Sequence, residues 1–536
     1  MWRQNLMAVG VLIVAFAMVR LAVQPTTGVR EAARAPVTEV SVGAVAAEVD
    51  REFEACWERQ GLSAAGPADR LLVARRLSLA MMGTLPSLED QRQLLAFQSD
   101  DAALAWWCEV VLADRRFADY QAERFARALV GVEEGPFLIF RRRRFTRWLS
   151  DQFAQSIPYD VLVRKLITSR GLWTDNPAVN FLTVTTSDDH EGRPDPVRLA
   201  GRTTRAFLGV RLDCMQCHDD NLEGKWLQSD FHELAAFYAE VGPSQTGIQD
   251  QPREYRVRFL GETNESTVTP QVPFRESLLG TESSRRARLA AWVTHPENLP
   301  FARAWVNRTW ALAFGRGLIE PIDQIPLEGP FPPGLETLAR DFVNHDFDMA
   351  RLWRVLIQTE VFRKESAASF EVSPTHETNF AVFPLTRLRP EQIAGSLLQA
   401  SKLTTVDAQS HILVRLAQYE RLNQFSQRYG DAGEDELSHA GGTVPQRLLM
   451  MNGSLIKEVT QPDLIANAAS RIATLAPTRR AAIETLYRAV LTRLPTPEEW
   501  AHFDAQFSDD TTRNPEQQME DLAWVLMNST EFSWNH

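Results

Sequence analysis

The chain has 536 residues, of which 44% are hydrophobic and 14 are tryptophan, enough for large cores in about two to four domains. Its 69 acidic and 57 basic residues give a formal net charge of −12, which argues against nucleic acid as a partner. Four cysteines are too few for a disulfide scaffold in a chain of this length.

The N-terminus carries a targeting segment. A short basic lead is followed by apolar residues 6–23, interrupted by Arg20 as the one charge. This length lies between a signal-peptide core and the ~20 residues of a membrane span, and Arg20 can snorkel. We expect residues 1–23 to anchor the chain in the membrane or to be cleaved as a signal, with export of the body in both cases. Residues 24–46 predict a tether.

Helical periodicity dominates the chain after the tether. Leu71–Met82 predicts a helix that ends at Gly83, and Ser87 caps the next one. The run Ala102–Val130 predicts a further aromatic-rich helix. A similar order of helix, proline turn and capped helix returns at residues 487–499.

Two stretches predict extended structure. Asn180–Thr186 alternates weakly, as a short strand does. Glu254–Leu260 alternates at period two and can pair with Ser266–Thr269 in a β-hairpin. The predicted fold class is therefore mainly α, with two helical domains, a small β-hairpin between them, and the N-terminal hydrophobic helix in front.

The chemistry concentrates in one Cys-x-x-Cys-His motif, the spacing by which c-type haem is attached. Asp213 and Gln216 are spaced as a capping box, which predicts the first turn of an α-helix here. Residues three and four apart share a helical face. Cys214 and Cys217 would then supply two thioether sulfurs to haem c, and His218 the proximal iron ligand.

The sixth iron position has several candidates. His190, His232 and the distant Met450 or Met451 each carry a side chain that can ligate iron. An open position would permit small-ligand chemistry, whereas a filled one implies electron transfer.

Two other interpretations compete with haem. Cys214 and Cys217 can form a structural disulfide in an exported scaffold or binding protein. Alternatively, the motif together with Asp219, Asp220 or His232 can hold a non-haem metal such as zinc, although no second Cys/His pair completes that spacing.

Other polar groups have structural explanations. The run Arg141–Arg144 favours a solvated, locally paired helix surface, with contact to haem propionates as the alternative. His345, in a helix-ending turn, is expected to be structural, and Cys56 and Cys108 to be buried free thiols. Loop carbonyls and the acids Glu320 or Asp323 are the expected partners of a cluster formed by Arg303, Asn307, Arg308 and Arg316.

Longer stretches carry a family resemblance. Arg205–Asp219, followed by Lys225-Trp226 and Leu234–Phe237, resembles the planctomycete cytochrome-type domain of unknown function. Phe301–Trp310 and Phe314–Leu318 resemble the planctomycete-specific domain that usually follows it in the same polypeptide.

The resemblance implies a cytochrome-type helical domain at 47–245, a β-hairpin linker at 246–282 and a C-terminal helical domain at 283–536. It carries no assigned activity. The family commonly reads Cys-His-Asp-His-Pro, whereas here Asp220 and Asn221 follow His218-Asp219, which puts the other iron ligand in question.

The expected protein is an exported, membrane-anchored, c-type cytochrome-like chain with one covalent haem and an unknown redox or scaffold partner. No nucleophile triad, phosphate loop or paired-carboxylate signature stands out in the sequence, so no hydrolase or transferase activity is assigned.

Overall fold

Helices make up most of the computed structural model, which describes residues 39–131, 140–187, 190–220, 226–282, 284–406, 467–509 and 512–536. In the first half they are α1 Glu39–Gln60, α2 Arg70–Met82, α3 Leu88–Ala96, α4 Asp100–Ala113, α5 Arg115–Val130, α6 Arg142–Ala154, α7 Tyr159–Ile167, α8 Asn180–Thr183, α9 Pro196–Thr203 and α10 Gln228–Ala235. In the second half they are α11 Arg285–Val293, α12 Leu299–Phe314, α13 Leu335–Asn344, α14 Met349–Gln358, α15 Pro374–Thr378, α16 Pro390–Ala400, α17 Ala468–Leu475, α18 Arg479–Leu491, α19 Pro497–Asp509 and α20 Pro515–Met527.

The strands of the described residues form three antiparallel pairs. They are β1 Val241–Ser244 with β2 Gly247–Asp250, β3 Tyr255–Val257 with β4 Ser266–Val268, and β5 Thr386–Arg387 with β6 Trp534–Asn535. The mainly helical fold class and the β3–β4 hairpin confirm the prediction. The hairpin β1–β2 was not predicted, because its strand β1 contains Gly242 and Pro243, two residue types that are depleted in strands.

The predicted membrane anchor at residues 6–23 lies outside the described residues. None of the helices that are described combines the length and the apolar sequence needed to cross a membrane. Helix α1 begins at Glu39, inside the predicted tether, and buries Val42 and Ala46. These two residues continue the apolar spacing of Val49 and Phe53, so this part of the predicted tether packs as one face of a helix.

The predicted boundary after α2 is confirmed in detail. Gly83 takes a left-handed conformation with φ 67°, and a Cβ there would lie 2.5 Å from Cε2 of Tyr120. Ser87 and Asp90 then form a reciprocal capping box at the start of α3.

Two helical details differ from the prediction. The run 102–130 is broken at Asp114, whose carboxylate accepts a hydrogen bond from the backbone N–H of Arg116 and caps α5. Asn180–Thr183 is helical, so the predicted strand at 180–186 is wrong. The reason is local: the Asn180 side chain donates to the carbonyl of Pro177 at 2.8 Å, which stabilises a turn rather than a strand.

Residues 42–536 form one compact unit in which both halves of the sequence share cores. Helix α12 is buried along its whole length from Pro300 to Phe314, and its Trp305 lies 4.2 Å, ring centroid to ring centroid, from Tyr159. Leu79 of α2 belongs to the same apolar cluster as Leu486 of α18. Segments far apart in the sequence therefore pack against one another.

Candidate functional site

Helix α9 delivers the chain to the motif. The Asp195 carboxylate caps α9 by accepting the backbone N–H of Val197 at 2.8 Å. The helix continues as one π-helical turn, Thr204–Leu208, which ends at Gly209 with φ 64°. A Cβ on Gly209 would lie 2.9 Å from Cδ1 of Ile325, so glycine lets this segment pack closely against the loop that follows α12.

The motif itself forms a 3₁₀ turn, Asp213–Gln216, rather than the start of an α-helix. The predicted capping box is wrong, because the residue before the turn is Leu212 and no side chain caps it. The Asp213 carboxylate instead lies 3.7 Å from Arg205 of the π-helical turn. Asp213 therefore forms an ion pair with Arg205 instead of capping a helix.

The turn separates its side chains by face. In a 3₁₀ helix, residues i and i+3 lie above one another. Cys214 and Cys217 are accordingly both exposed, with free thiols, while Met215 between them is buried. Both cysteine side chains are therefore accessible from solvent.

His218 is exposed next to these thiols. Its Nδ1 lies 2.7 Å from the carbonyl oxygen of Asp219. A carbonyl can only accept, so this contact assigns the ring proton to Nδ1 and leaves the lone pair on Nε2. Within the described residues that nitrogen is open to a metal ligand bond.

His232 holds the motif from behind. It is only 4% exposed, its Nε2 lies 3.1 Å from the carbonyl oxygen of Gln216, and its Nδ1 lies 2.9 Å from the Tyr255 hydroxyl. Burial lowers the pKa of His232, which favours the neutral ring. The carbonyl requires Nε2 to donate, so Nδ1 accepts from the hydroxyl of Tyr255, and both nitrogens are engaged. His232 positions the turn rather than presenting a lone pair.

The helix that carries His232 adds two more hydrogen bonds to this support. Gln228 Nε2 donates to the same Gln216 carbonyl at 3.1 Å. The backbone N–H of Gln228 donates to the Asp219 carboxylate at 2.7 Å, so Asp219 provides a hydrogen-bond acceptor for the first residue of α10. Motif and α10 are joined as one unit.

The second distal candidate, His190, lies at the surface. Its Nε2 is 3.1 Å from the Asp195 carboxylate that caps α9. Burial raises the pKa of Tyr255, and the charge of Asp195 raises it further, so this carboxylate lies near the tyrosine that meets His232. The methionine candidates, Met450 and Met451, lie outside the described residues.

The arginine run is paired, as predicted, but Arg142 is buried rather than solvated. Arg142 donates to both oxygens of Glu123 at 3.0 and 2.8 Å, and Arg144 donates to the carbonyl of Thr174. These side chains do not line the cavity next to the motif.

The remaining structural explanations also hold. Cys56 and Cys108 are buried free thiols, and burial raises the pKa of Cys108. His345 closes α13 by bonding the carbonyl of Asp341. Within the described ranges, no three His, Cys, Asp or Glu side chains are grouped to hold a metal ion.

The polar residues on α12 and just after it bond loop carbonyls and nearby acids, although the acid that Arg303 pairs with is Glu336 and not the expected Glu320 or Asp323. Arg308 donates to the Ala206 carbonyl at 3.0 Å, and Asn307 exchanges hydrogen bonds with the backbone of Ile319. Arg316 pairs with Glu320 at 3.3 Å. Asp323, by contrast, pairs with arginines of the other half of the chain.

A cavity of about 680 Å³ lies beside the motif. Asp213 and Gln216 line it, whereas Cys214, Cys217 and His218 do not. This agrees with the 3₁₀ geometry, which places residues 213 and 216 together on a different side of the turn from the two sulfurs. Sequence reasoning missed the cavity because its arginines are scattered from residue 127 to residue 316.

Two known family models match this chain, one after the other along the sequence. Residues 48–242 match PSCyt2, a protein of unknown function (DUF1549), and residues 285–438 match PSD1, a protein of unknown function (DUF1553). The chain belongs to this two-domain planctomycete family. No curated protein and no solved structure matches it.

The PSCyt2 and PSD1 regions meet beside the motif. The backbone N–H of Ile325 donates to the carbonyl of Gly209 at 2.7 Å. Asp323 of PSD1 pairs with Arg205 at 3.0 Å and with Arg211 at 2.8 Å, both in PSCyt2. The PSCyt2 region supplies the whole motif, and the PSD1 region braces the segment that leads into it.

The donor set of the motif fits a covalently attached haem. Haem c needs two thiols on one side of a turn and one imidazole nitrogen. Cys214 and Cys217 are free and exposed, three residues apart, and the Asp219 carbonyl leaves Nε2 of His218 open among the described residues. These residues need not converge on a single ion for that purpose, because the sulfurs bond the macrocycle and only the imidazole bonds the iron.

Proposed function

We propose that this chain is an exported c-type cytochrome-like protein. Cys214 and Cys217 would hold one haem through thioether bonds, and Nε2 of His218 would be the proximal iron ligand. The bound haem would supply one-electron chemistry, and electron transfer is the role proposed for the protein.

One observation carries the proposal: two free, exposed thiols lie three residues apart, one in a 3₁₀ turn and one directly after it, and the next residue is a histidine whose Nε2 is open among the described residues. The PSCyt2 name points to the same cytochrome-type character. Export fits because haem c is attached outside the cytoplasm, and residues 6–23 have the composition of a signal or anchor.

The chain's own residues prepare the site. The Asp219 carbonyl fixes the tautomer and the orientation of the His218 ring. His232 and Gln228 hold the Gln216 carbonyl between the two cysteines. The backbone that carries the sulfurs is therefore braced before any group is attached.

The proposal is tested by asking whether haem is covalently attached to the chain. The full chain should be produced with a haem c maturation system, then examined by haem staining after denaturing electrophoresis and by its pyridine haemochrome spectrum. Stain should appear, and Cys214→Ser with Cys217→Ser should abolish it. Cys56→Ser is the matched control and should keep the stain. His218→Ala should change the iron spectrum by removing the proximal ligand.

A chain without covalent haem under these conditions contradicts the proposal. Mass spectrometry of the peptide that carries Cys214 and Cys217 then separates the alternatives. A mass lower by two hydrogens indicates the structural disulfide of an exported scaffold protein. Fractionation tests export: the chain should leave the cytoplasm and, if residues 6–23 are retained as an anchor, resist alkaline extraction from membranes.

A further inference from the structure

The cavity beside the motif carries an excess of positive side chains. Among the described residues, seven arginines and three carboxylates line it. All three carboxylates are already matched: Asp323 pairs with Arg205 and Arg211, Glu320 pairs with Arg316, and Asp213 pairs with Arg205. Seven arginines against three carboxylates give the described wall an excess of positive charge.

Arg127 has an unsatisfied guanidinium nitrogen at this wall. Its side chain is 9% exposed, and its Nη1 is buried without a hydrogen-bond partner among the described residues. Its Nε lies 3.5 Å from Glu123, but that carboxylate is engaged by two nitrogens of Arg142 at 3.0 and 2.8 Å. A buried charged donor without an acceptor is unfavourable, so an anion here would remove a penalty.

Arg198 provides a second, accessible positive group. It projects from α9, is exposed at the cavity wall, and forms no ion pair with any residue that the structure describes. One buried and one exposed guanidinium thus face the same space. Their combination suits a ligand that enters from solvent and carries more than one acidic group.

The shape of the cavity leaves the guanidinium groups within reach. Five of the twenty lining residues are small, namely Ala128, Gly131, Gly201, Ala206 and Ala311. A volume of about 680 Å³ falls within the roughly 300–1,000 Å³ of small-molecule sites. The wall draws on the PSCyt2 and PSD1 regions, and such junctions are frequent ligand sites.

We propose that this cavity binds a small organic or inorganic anion with at least two acidic groups, carboxylate or phosphate. The planar fork of arginine matches both groups through paired hydrogen bonds. Asp213 and Gln216 line the cavity, while the two sulfurs lie on another side of the turn. The anion site is therefore separate from the proposed haem attachment and does not depend on it.

Calorimetric titration of the full chain with citrate and with pyrophosphate tests the site. At least one probe should bind saturably, and the comparison distinguishes carboxylate from phosphate recognition. Binding should weaken as salt is raised from about 50 to about 300 mM, because screening increases. Arg198→Gln should weaken binding about 5- to 10-fold by removing one charge-assisted contact. Arg92→Gln, an exposed arginine away from the cavity, is the matched control and should bind normally.

The Cys214→Ser, Cys217→Ser variant separates this proposal from the haem proposal. It cannot attach haem, yet it should bind the anion with unchanged affinity. The anion proposal is overturned if neither probe binds, if Arg198→Gln binds as tightly as the control, or if the serine variant loses the anion. Loss of haem stain with retained anion binding would leave it intact.

Discussion

Nε2 of His232 lies 3.1 Å from the carbonyl oxygen of Gln216, so a buried ring on α10 fixes the peptide between the two cysteines of the motif. The other ring nitrogen meets the hydroxyl of Tyr255 on β3. One side chain thereby ties together the motif, a helix and a hairpin.

Replacing this ring with an apolar one should destabilise the fold. In His232→Phe, the Gln216 carbonyl and the Tyr255 hydroxyl each lose a buried partner. We expect the free energy of unfolding to fall by about 1–3 kcal/mol, measured by urea denaturation. His502→Phe, at an exposed histidine, is the control and should change it by less than about 0.5 kcal/mol. Equal stability of both variants would contradict the bracing role.

The buried ion pair between Arg124 and Glu391 should matter more than a surface pair. Their atoms Nη1 and Oε1 lie 2.7 Å apart. Burial alone would raise the pKa of Glu391, but Arg124, Arg127 and Arg389 overcome it and lower this pKa to about 2. Glu391→Gln leaves buried guanidinium charge uncompensated and should lower the free energy of unfolding by about 3–5 kcal/mol at pH 7.

Glu109→Gln supplies the matched control, because Glu109 pairs with Arg354 at the surface and should contribute less than about 1 kcal/mol. The pKa of Glu391 also fixes the direction in which its contribution to the free energy of unfolding changes with pH. The folded-state pKa of Glu391 lies below 4.5, so its contribution is present above pH 4.5 and is lost as the pH falls towards 2. A gap between wild type and Glu391→Gln that widens over this range would be inconsistent with the ion pair.

The four thiols should fall into two classes of reactivity. Cys214 and Cys217 are exposed, whereas Cys56 and Cys108 are buried. In reduced, haem-free chain, iodoacetamide should add two groups under native conditions and four in urea, counted by mass spectrometry. Native labelling of Cys108 would show that its environment is open, contrary to the burial that raises its pKa.

The His536 side chain should lower the free energy of unfolding as the pH falls below 7. Burial first, and then the charge of Arg75, lower its pKa to about 4. The unfolded state therefore binds the proton at higher pH than the folded state does, and stability falls as the pH drops from 6.5 towards 4. Between pH 7 and pH 5 we expect His536→Gln to avoid about 1–2 kcal/mol of this loss.

Urea denaturation of both chains at the two pH values measures that difference. Asp50, whose pKa burial raises to about 6, acts with the opposite sign because its folded form keeps the proton longer. Asp50 is present in both wild type and His536→Gln, so its contribution cancels from the difference between their stabilities. Parallel pH profiles for wild type and variant would rule out the proposed role of His536.

Local chemistry explains what the sequence could predict. Helix ends at Gly83 and Ser87 depend on neighbours within one turn, so propensity and capping rules located them. The motif was found from its spacing alone. Its 3₁₀ geometry was not, because Asp213 is drawn to Arg205 by packing that no local rule encodes.

The candidate site shows the same division. His232 was identified as a histidine that can ligate iron, but its role follows from Tyr255, which lies on a separate hairpin. The cavity depends on residues of α5, α9 and α12 that meet only in the folded chain. Tertiary contacts between distant segments thus decided the features that sequence patterns could not.

The shared apolar cluster of α2 and α18 has a consequence for biosynthesis. Leu79 emerges from the ribosome long before Leu486, and Arg76 donates to the backbone carbonyl of His536 at 2.6 Å. The apolar face of α2 can therefore be buried only after the C-terminal helices have been synthesised. A chain truncated within the PSD1 region would leave this face exposed, and the chain would be prone to chaperone capture or proteolysis.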